Sequence, residues 1–178
     1  MASSRKKVLI RRFSGVVTPG YLPQSGLIRH GQVDVLDLDG RVVAVPLSDV
    51  KRISYVRDFN LSDKENPERI TRKSFLARPR AEGMWVRMTF RDGDVMEGLA
   101  STDMSLLDSM QEDAGLQIAP PDTRSNTQRI FIPRSALTEF EVVAVITTQT
   151  KKKPAPVVTA TTQEELFHSE LPPNARPN

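Results

Sequence analysis

The chain has 178 residues, 38% of them hydrophobic, no cysteine and a formal net charge of +3, which allows one or two small domains. Without cysteine there is no disulfide framework, thiolate zinc centre or thiol nucleophile, and apolar runs such as residues 142–146 fall far short of the roughly 20 residues that span a bilayer. Residues 1–7 lack the apolar run of a secretory signal, so the expectation is a cytoplasmic protein with no membrane partner.

In chain order, Val8, Ile10, Phe13, Gly15, Val17 and Gly20 open a first apolar pattern. Val33, Val35 and Leu38 approach period-two alternation ahead of Asp39 and Gly40, and residues 42–45 resume a β-rich run, which together read as a hairpin. Pro46 cannot donate a ladder hydrogen bond, so a short helical turn is expected before Val50, Ile53, Tyr55 and Val56. In residues 58–82, Asn66 before Pro67 reads as a helix start, and Glu68 and Arg72 stand at the i, i+4 spacing. Pro79 limits continuation, and the spacing predicts one helix over residues 67–77.

A second apolar pattern then repeats the first. Val86, Met88, Phe90, Gly93, Val95 and Gly98 open it, and Ile130, Ile132, Pro133, Leu137, Phe140, Val142 and Val143 close it, with a helical turn expected after Pro133. The long period suggests two copies of one small domain rather than a solenoid. Beyond Thr147 the chain is polar and proline-rich, and residues 148–178 are expected to be disordered. Within them Thr162 to Glu165 fits a capping box ahead of Leu166 and Phe167.

Residues 86–99, VRMTFRDGDVMEGL, resemble the first half of an Sm-like domain, and residues 130–143, IFIPRSALTEFEVV, resemble its closing strands. VLIRRFSGVVTPGY and VPLSDVKRISYVRDF resemble an uncharacterised family of bacterial small-barrel domains. The resemblances imply a mostly β protein: two tandem Sm-like or SH3-like small β-barrels at residues 7–60 and 83–147, a basic helical linker at 61–82 and a disordered tail. Of the residues with which Sm-like proteins hold uridine-rich RNA, only the arginine finds a counterpart, Arg134, while Ser105 stands in place of the asparagine. The chain also resembles PilZ domains, which bind cyclic di-GMP, through the cationic run Arg69, Arg72, Lys73, Arg78 and Arg80 and through Asp103 and Ser105 in D-x-S-x-x-D, where Asp108 replaces the glycine.

Guanidinium groups suit phosphate because they donate paired hydrogen bonds and stack on bases, which makes the run a candidate site for RNA or a cyclic dinucleotide. Arg124, Asn126, Gln128 and Arg129 form a polar loop behind Pro120 and Pro121; it reads as a binding loop or as turn residues bonding their own backbone. Residues 1–82 carry 16 Lys and Arg against 9 Asp and Glu, and residues 83–147 carry 5 against 10. This asymmetry fits either an anionic partner for the basic half or attraction between the halves. His30 and His168 belong to no catalytic or metal-ligand spacing. The expectation is a non-enzymatic interaction or regulatory module with no cofactor or metal, binding a protein partner through strand edges and loops; nucleic-acid or cyclic di-GMP binding through the linker is the alternative. Oligomeric state is left open.

Overall fold

The computed structural model describes residues 6–22, 28–102, 115–122 and 124–147. Ten strands form within them: β1 (Lys6–Arg12), β2 (Val17–Leu22), β3 (Gln32–Leu36), β4 (Val42–Pro46), β5 (Val50–Val56), β6 (Gly83–Phe90), β7 (Val95–Ala100), β8 (Gly115–Ala119), β9 (Thr127–Pro133) and β10 (Leu137–Ile146). Local chemistry sets the turns between them. Asp37 Oδ1 accepts from the Asp39 and Arg41 amides, and Gly40 takes φ 83°, closing the β3–β4 hairpin. Gly93 at φ 80° closes β6 onto β7 with the Asp94 amide bonded to Asp92; left-handed backbone of this kind favours glycine. After Pro46 and Pro133 the expected turns are single 3₁₀ turns, Leu47–Asp49 and Arg134–Ala136.

All pairings are antiparallel, and the strands form one sheet in the order β10, β6, β7, β8, β9, β5, β1, β2, β3, β4. Each run of five places its last strand first, followed by the other four in sequence. Each run also has a core of its own. Val86, Met88, Phe90, Met96, Leu116, Ile118, Ile130 and Ile132 pack together in the second run. Val8, Ile10, Val33, Val35, Val45, Val50 and Ile53 pack in the first, together with Phe131 from β9 of the second run. Close approach of neighbouring strands requires glycine at two positions. At Gly98 a Cβ would sit 2.5 Å from Ile118 Cδ1, and at Gly20 it would sit 2.5 Å from the Leu36 carbonyl oxygen.

The runs are not the expected separate closed barrels, because β9 pairs with β5 through Ile53 with Phe131, Ser54 with Ile130 and Tyr55 with Arg129. The outer edge of β5 carries backbone donors and acceptors that need partners, and β9 supplies them, so the ladder runs on through the junction. The linker is not helical either: among the described residues there is no α-helix. Asn66 does not cap a helix. Its side chain accepts from the Ile70 amide and donates to the Ile70 carbonyl, and Arg69 takes φ 49°, which no right-handed helix admits.

Residues 1–148 group as one compact unit. The expected tail, its capping box, and the candidates Asp103 and Ser105 lie outside the described residues. No helix among the described residues is long and apolar enough to cross a membrane.

Candidate functional site

The linker folds back over the sheet and is tied down by Glu68, whose side chain is fully buried. Arg11 donates to it through Nε at 2.7 Å and Nη2 at 2.6 Å, and Arg52 through Nη2 at 3.3 Å. Burial pushes the Glu68 carboxyl up, but the Arg11 hydrogen bonds and the two guanidinium charges outweigh it and hold the group below the usual carboxylate range. Burial pulls Arg52 down from its ordinary value, with Glu68 opposing the shift. Nearby, Thr127 Oγ1 donates to the Glu68 carbonyl at 2.7 Å, and Asn126 bonds the Asp58 amide at 3.0 Å and the Asp58 carbonyl at 2.7 Å. These contacts leave Glu68, Thr127 and Asn126 engaged in holding linker to sheet.

Across the junction, buried Lys51 of β5 donates to Asp92 and Asp94 in the β6–β7 turn, and Lys73 of the linker reaches Asp94 at 2.6 Å. Burial raises the Asp94 carboxyl, yet Lys73 and Lys51 hold it below its ordinary value. Arg91 lies 4.2 Å over the Phe13 ring and donates to the Ser48 carbonyl at 2.7 Å. Part of the charge asymmetry is therefore spent between the basic and acidic segments.

Among the described residues the sheet ends in two strands with one unpaired edge each, β10 and β4. Alternation puts Val43 and Val45 of β4 toward the first core and leaves Val42 and Ala44 outward, Val42 at 70% exposure. On β10, Phe140, Val142 and Val145 are 39%, 47% and 54% exposed. Beside this edge lies a cavity of about 300 Å³ lined by Leu116, Ile132, Leu137 and Phe140, with Arg134 and Glu139 its charged members. An unpaired backbone edge, adjacent apolar side chains and a cavity between them make a surface that can take an extended chain by strand addition.

A second concavity, about 700 Å³, lies over the junction and is lined by Lys6, Lys7, Tyr55, Arg57, Gln128 and Arg129 among others. No carboxylate is among the described residues that line it. Lys7 is engaged by Asp58 at 2.9 Å, and Lys6 lies 5.9 Å over the Tyr55 ring.

The sequence candidates thus separate. Gln128 and Arg129 line the cationic groove and Arg134 the apolar cavity, while Asn126 is bonded to the chain's own backbone and Arg124 is exposed. Of the linker run, Lys73 pairs with Asp94, and Arg69, Arg72, Arg78 and Arg80 are exposed on irregular chain. The Thr71 hydroxyl and then the Arg124 amide, helped by the Arg72 and Arg124 charges, hold the Asp122 carboxyl below its usual range. Sequence reading missed Phe140, Val142, Lys6 and Arg57; the exposed apolar pair is recognisable only once the edge position of β10 is known. No cluster of three or more potential metal ligands occurs among the described residues.

Residues 4–144 match the model of a family described as a family of unknown function, DUF6982. No curated protein matches the chain.

Proposed function

We propose that this chain, which belongs to the DUF6982 family of unknown function, is a non-enzymatic interaction module that takes an extended polypeptide on the free edge of β10. One observation carries the reading: the unpaired edge borders a cavity of about 300 Å³ with apolar Leu116, Ile132, Leu137 and Phe140 in its lining. Main-chain hydrogen bonds would supply affinity, and the cavity would select a bulky apolar side chain at one position of the incoming strand. The junction inside the molecule offers a precedent, since β9 lies on β5 in this way and buries Phe131 completely in the first core.

The test uses that precedent as its probe. A fluorescent peptide with the sequence of residues 124–135 is titrated into the full chain and followed by anisotropy. Saturable binding, weakened at least about tenfold by Phe140→Glu in the protein or by alanine at the Phe131 position of the peptide, is expected, a loss of about 1.4 kcal/mol or more. Binding untouched by both changes would reject β10 as the site.

The cationic groove supports a second reading, recognition of a phosphate-bearing ligand such as RNA or a cyclic dinucleotide. Lys6, Arg57, Arg129 and Gln128 supply donors there with no carboxylate among the described lining residues, and Tyr55 supplies a ring. Oligouridine and cyclic di-GMP titrated at low and moderate salt decide it. Phosphate contacts make affinity fall steeply with salt, and Arg129→Ala should weaken binding if the groove is used.

A further inference from the structure

The ligand-binding edge of β10 and the other unpaired edge, β4, are complementary, and we infer that β4 of a second copy of this chain is the strand that β10 takes. The inference rests on the reading of β10 as a strand acceptor and names its partner.

Pro46 and Pro133 stand 87 residues apart and each precedes a 3₁₀ turn that leads into β5 or β10. With that offset, β10 is the counterpart of β5, and β4 is the counterpart of β9. The strand order agrees, because β5 and β10 each stand first in their run and β4 and β9 each stand last. Inside the chain, the last strand of the second run therefore pairs with the first strand of the first run. The same pairing between chains would put β4 of one molecule on β10 of the next.

The internal register then specifies the contact. Ile53 with Phe131 becomes Phe140 with Ala44, and Tyr55 with Arg129 becomes Val142 with Val42. Val42 and Ala44 are the outward side chains of β4, Phe140 and Val142 lie on the core face of β10 beside Met88 and Val86, and all four are exposed and apolar. Side chains directly opposite in an antiparallel pair lie on one face, so a strip of four exposed apolar groups would be covered at once. Size is redistributed rather than lost: in the internal pair the aromatic residue is on the incoming strand, and in the external pair it is Phe140 on the accepting strand, facing small Ala44. The cavity falls at the corresponding place. Its lining residues Ile132, Leu137 and Phe140 are the counterparts of Val45, Val50 and Ile53, which pack with Phe131 in the first core. Between them, Glu141 would lie opposite Val43, with its carboxylate already held by Arg87 at 3.2 Å.

Electrostatics has the same sign at both junctions. Residues 1–82 carry an excess of Lys and Arg and residues 83–147 an excess of Asp and Glu, so each head-to-tail contact brings a basic run to an acidic one. Such an interface is heterologous: it closes into a ring if the rotation per step permits and extends into a filament if it does not.

Sedimentation of the full chain over a wide concentration range tests this. Wild type should form species heavier than the 19.9 kDa monomer. Ala44→Glu, which blocks β4, and Phe140→Glu, which blocks β10, should each be monomeric. Both positions are exposed, so neither change disturbs a core. Mixed together, the two variants retain one live β10 and one live β4 and should form a dimer that grows no further. Wild type that stays monomeric, or a mixture that gives no dimer, overturns the inference. If the β9 peptide still binds β10 in that case, the proposed function stands without it; if the peptide also fails, both fall.

Discussion

Replacing Glu68 by glutamine removes one negative charge from a fully buried position where it faces two guanidinium groups. Breaking a buried ion pair from one side costs roughly 3–5 kcal/mol, because the remaining charge is stranded. Here the burden is uneven. The Arg11 side chain is 17% exposed and can turn toward solvent, whereas that of Arg52 is 7% exposed and already has a buried Nε without a hydrogen-bond partner. The glutamine keeps the shape and one acceptor, so the lower end of the range, about 3 kcal/mol, is expected. At roughly 2–4 °C per kcal/mol for a chain of this size, Tm should fall by about 6–12 °C.

The loss should also depend on pH in one direction. The folded pKa of Glu68 lies below its ordinary value of 4.5, so its contribution is complete above that value and is lost as pH falls through the lower folded value. Thermal unfolding of wild type and Glu68→Gln from neutral pH downward should therefore show a gap that holds at near-neutral pH and narrows in acid. A gap below about 1 kcal/mol at neutral pH, or one that does not narrow in acid, would refute the assignment of Glu68 as the charged anchor of the linker.

Three further substitutions probe the sheet. Phe131→Ala should cost about 3–5 kcal/mol in urea denaturation and leave one cooperative transition, since Phe131 belongs to the first core while sitting on β9; separate transitions for the two runs would contradict the continuous ladder. Gly98→Ala should destabilise by about 1–3 kcal/mol, because its Cβ would come within 2.5 Å of Ile118 Cδ1 and 3.0 Å of the Ala119 carbonyl. Asn126→Ala should lose about 1–2 kcal/mol and speed amide exchange at Asp58, whose amide it accepts from at 3.0 Å.

Much of the local structure is legible in the sequence. Asp39 with Gly40 and Asp92 with Gly93 mark hairpins because their turns need left-handed backbone, and Pro46 and Pro133 interrupt ladders because proline lacks the donor. Interactions between distant segments are not legible in this way. Glu68 and Arg72 fit a helical i, i+4 pair, yet Glu68 is bonded to Arg11 and Arg52, 57 and 16 residues away. Asn66 before Pro67 has the chemistry of a helix cap, and that chemistry is used instead on Ile70. The pairing of β9 with β5 depends on which edges meet in space, information that strand periodicity does not contain. For the same reason the cationic residues most evident in sequence, the linker run, are not those that line the groove with Arg129.

The most direct test of β10 as a strand acceptor is amide hydrogen exchange on the Ala44→Glu chain, in which self-association is blocked, with and without the peptide of residues 124–135. Amides on the free edge of β10 should exchange rapidly in the free chain and become protected when the peptide is bound, with β4 unchanged. Saturating peptide that leaves β10 unprotected, or that protects a different strand, would contradict the account.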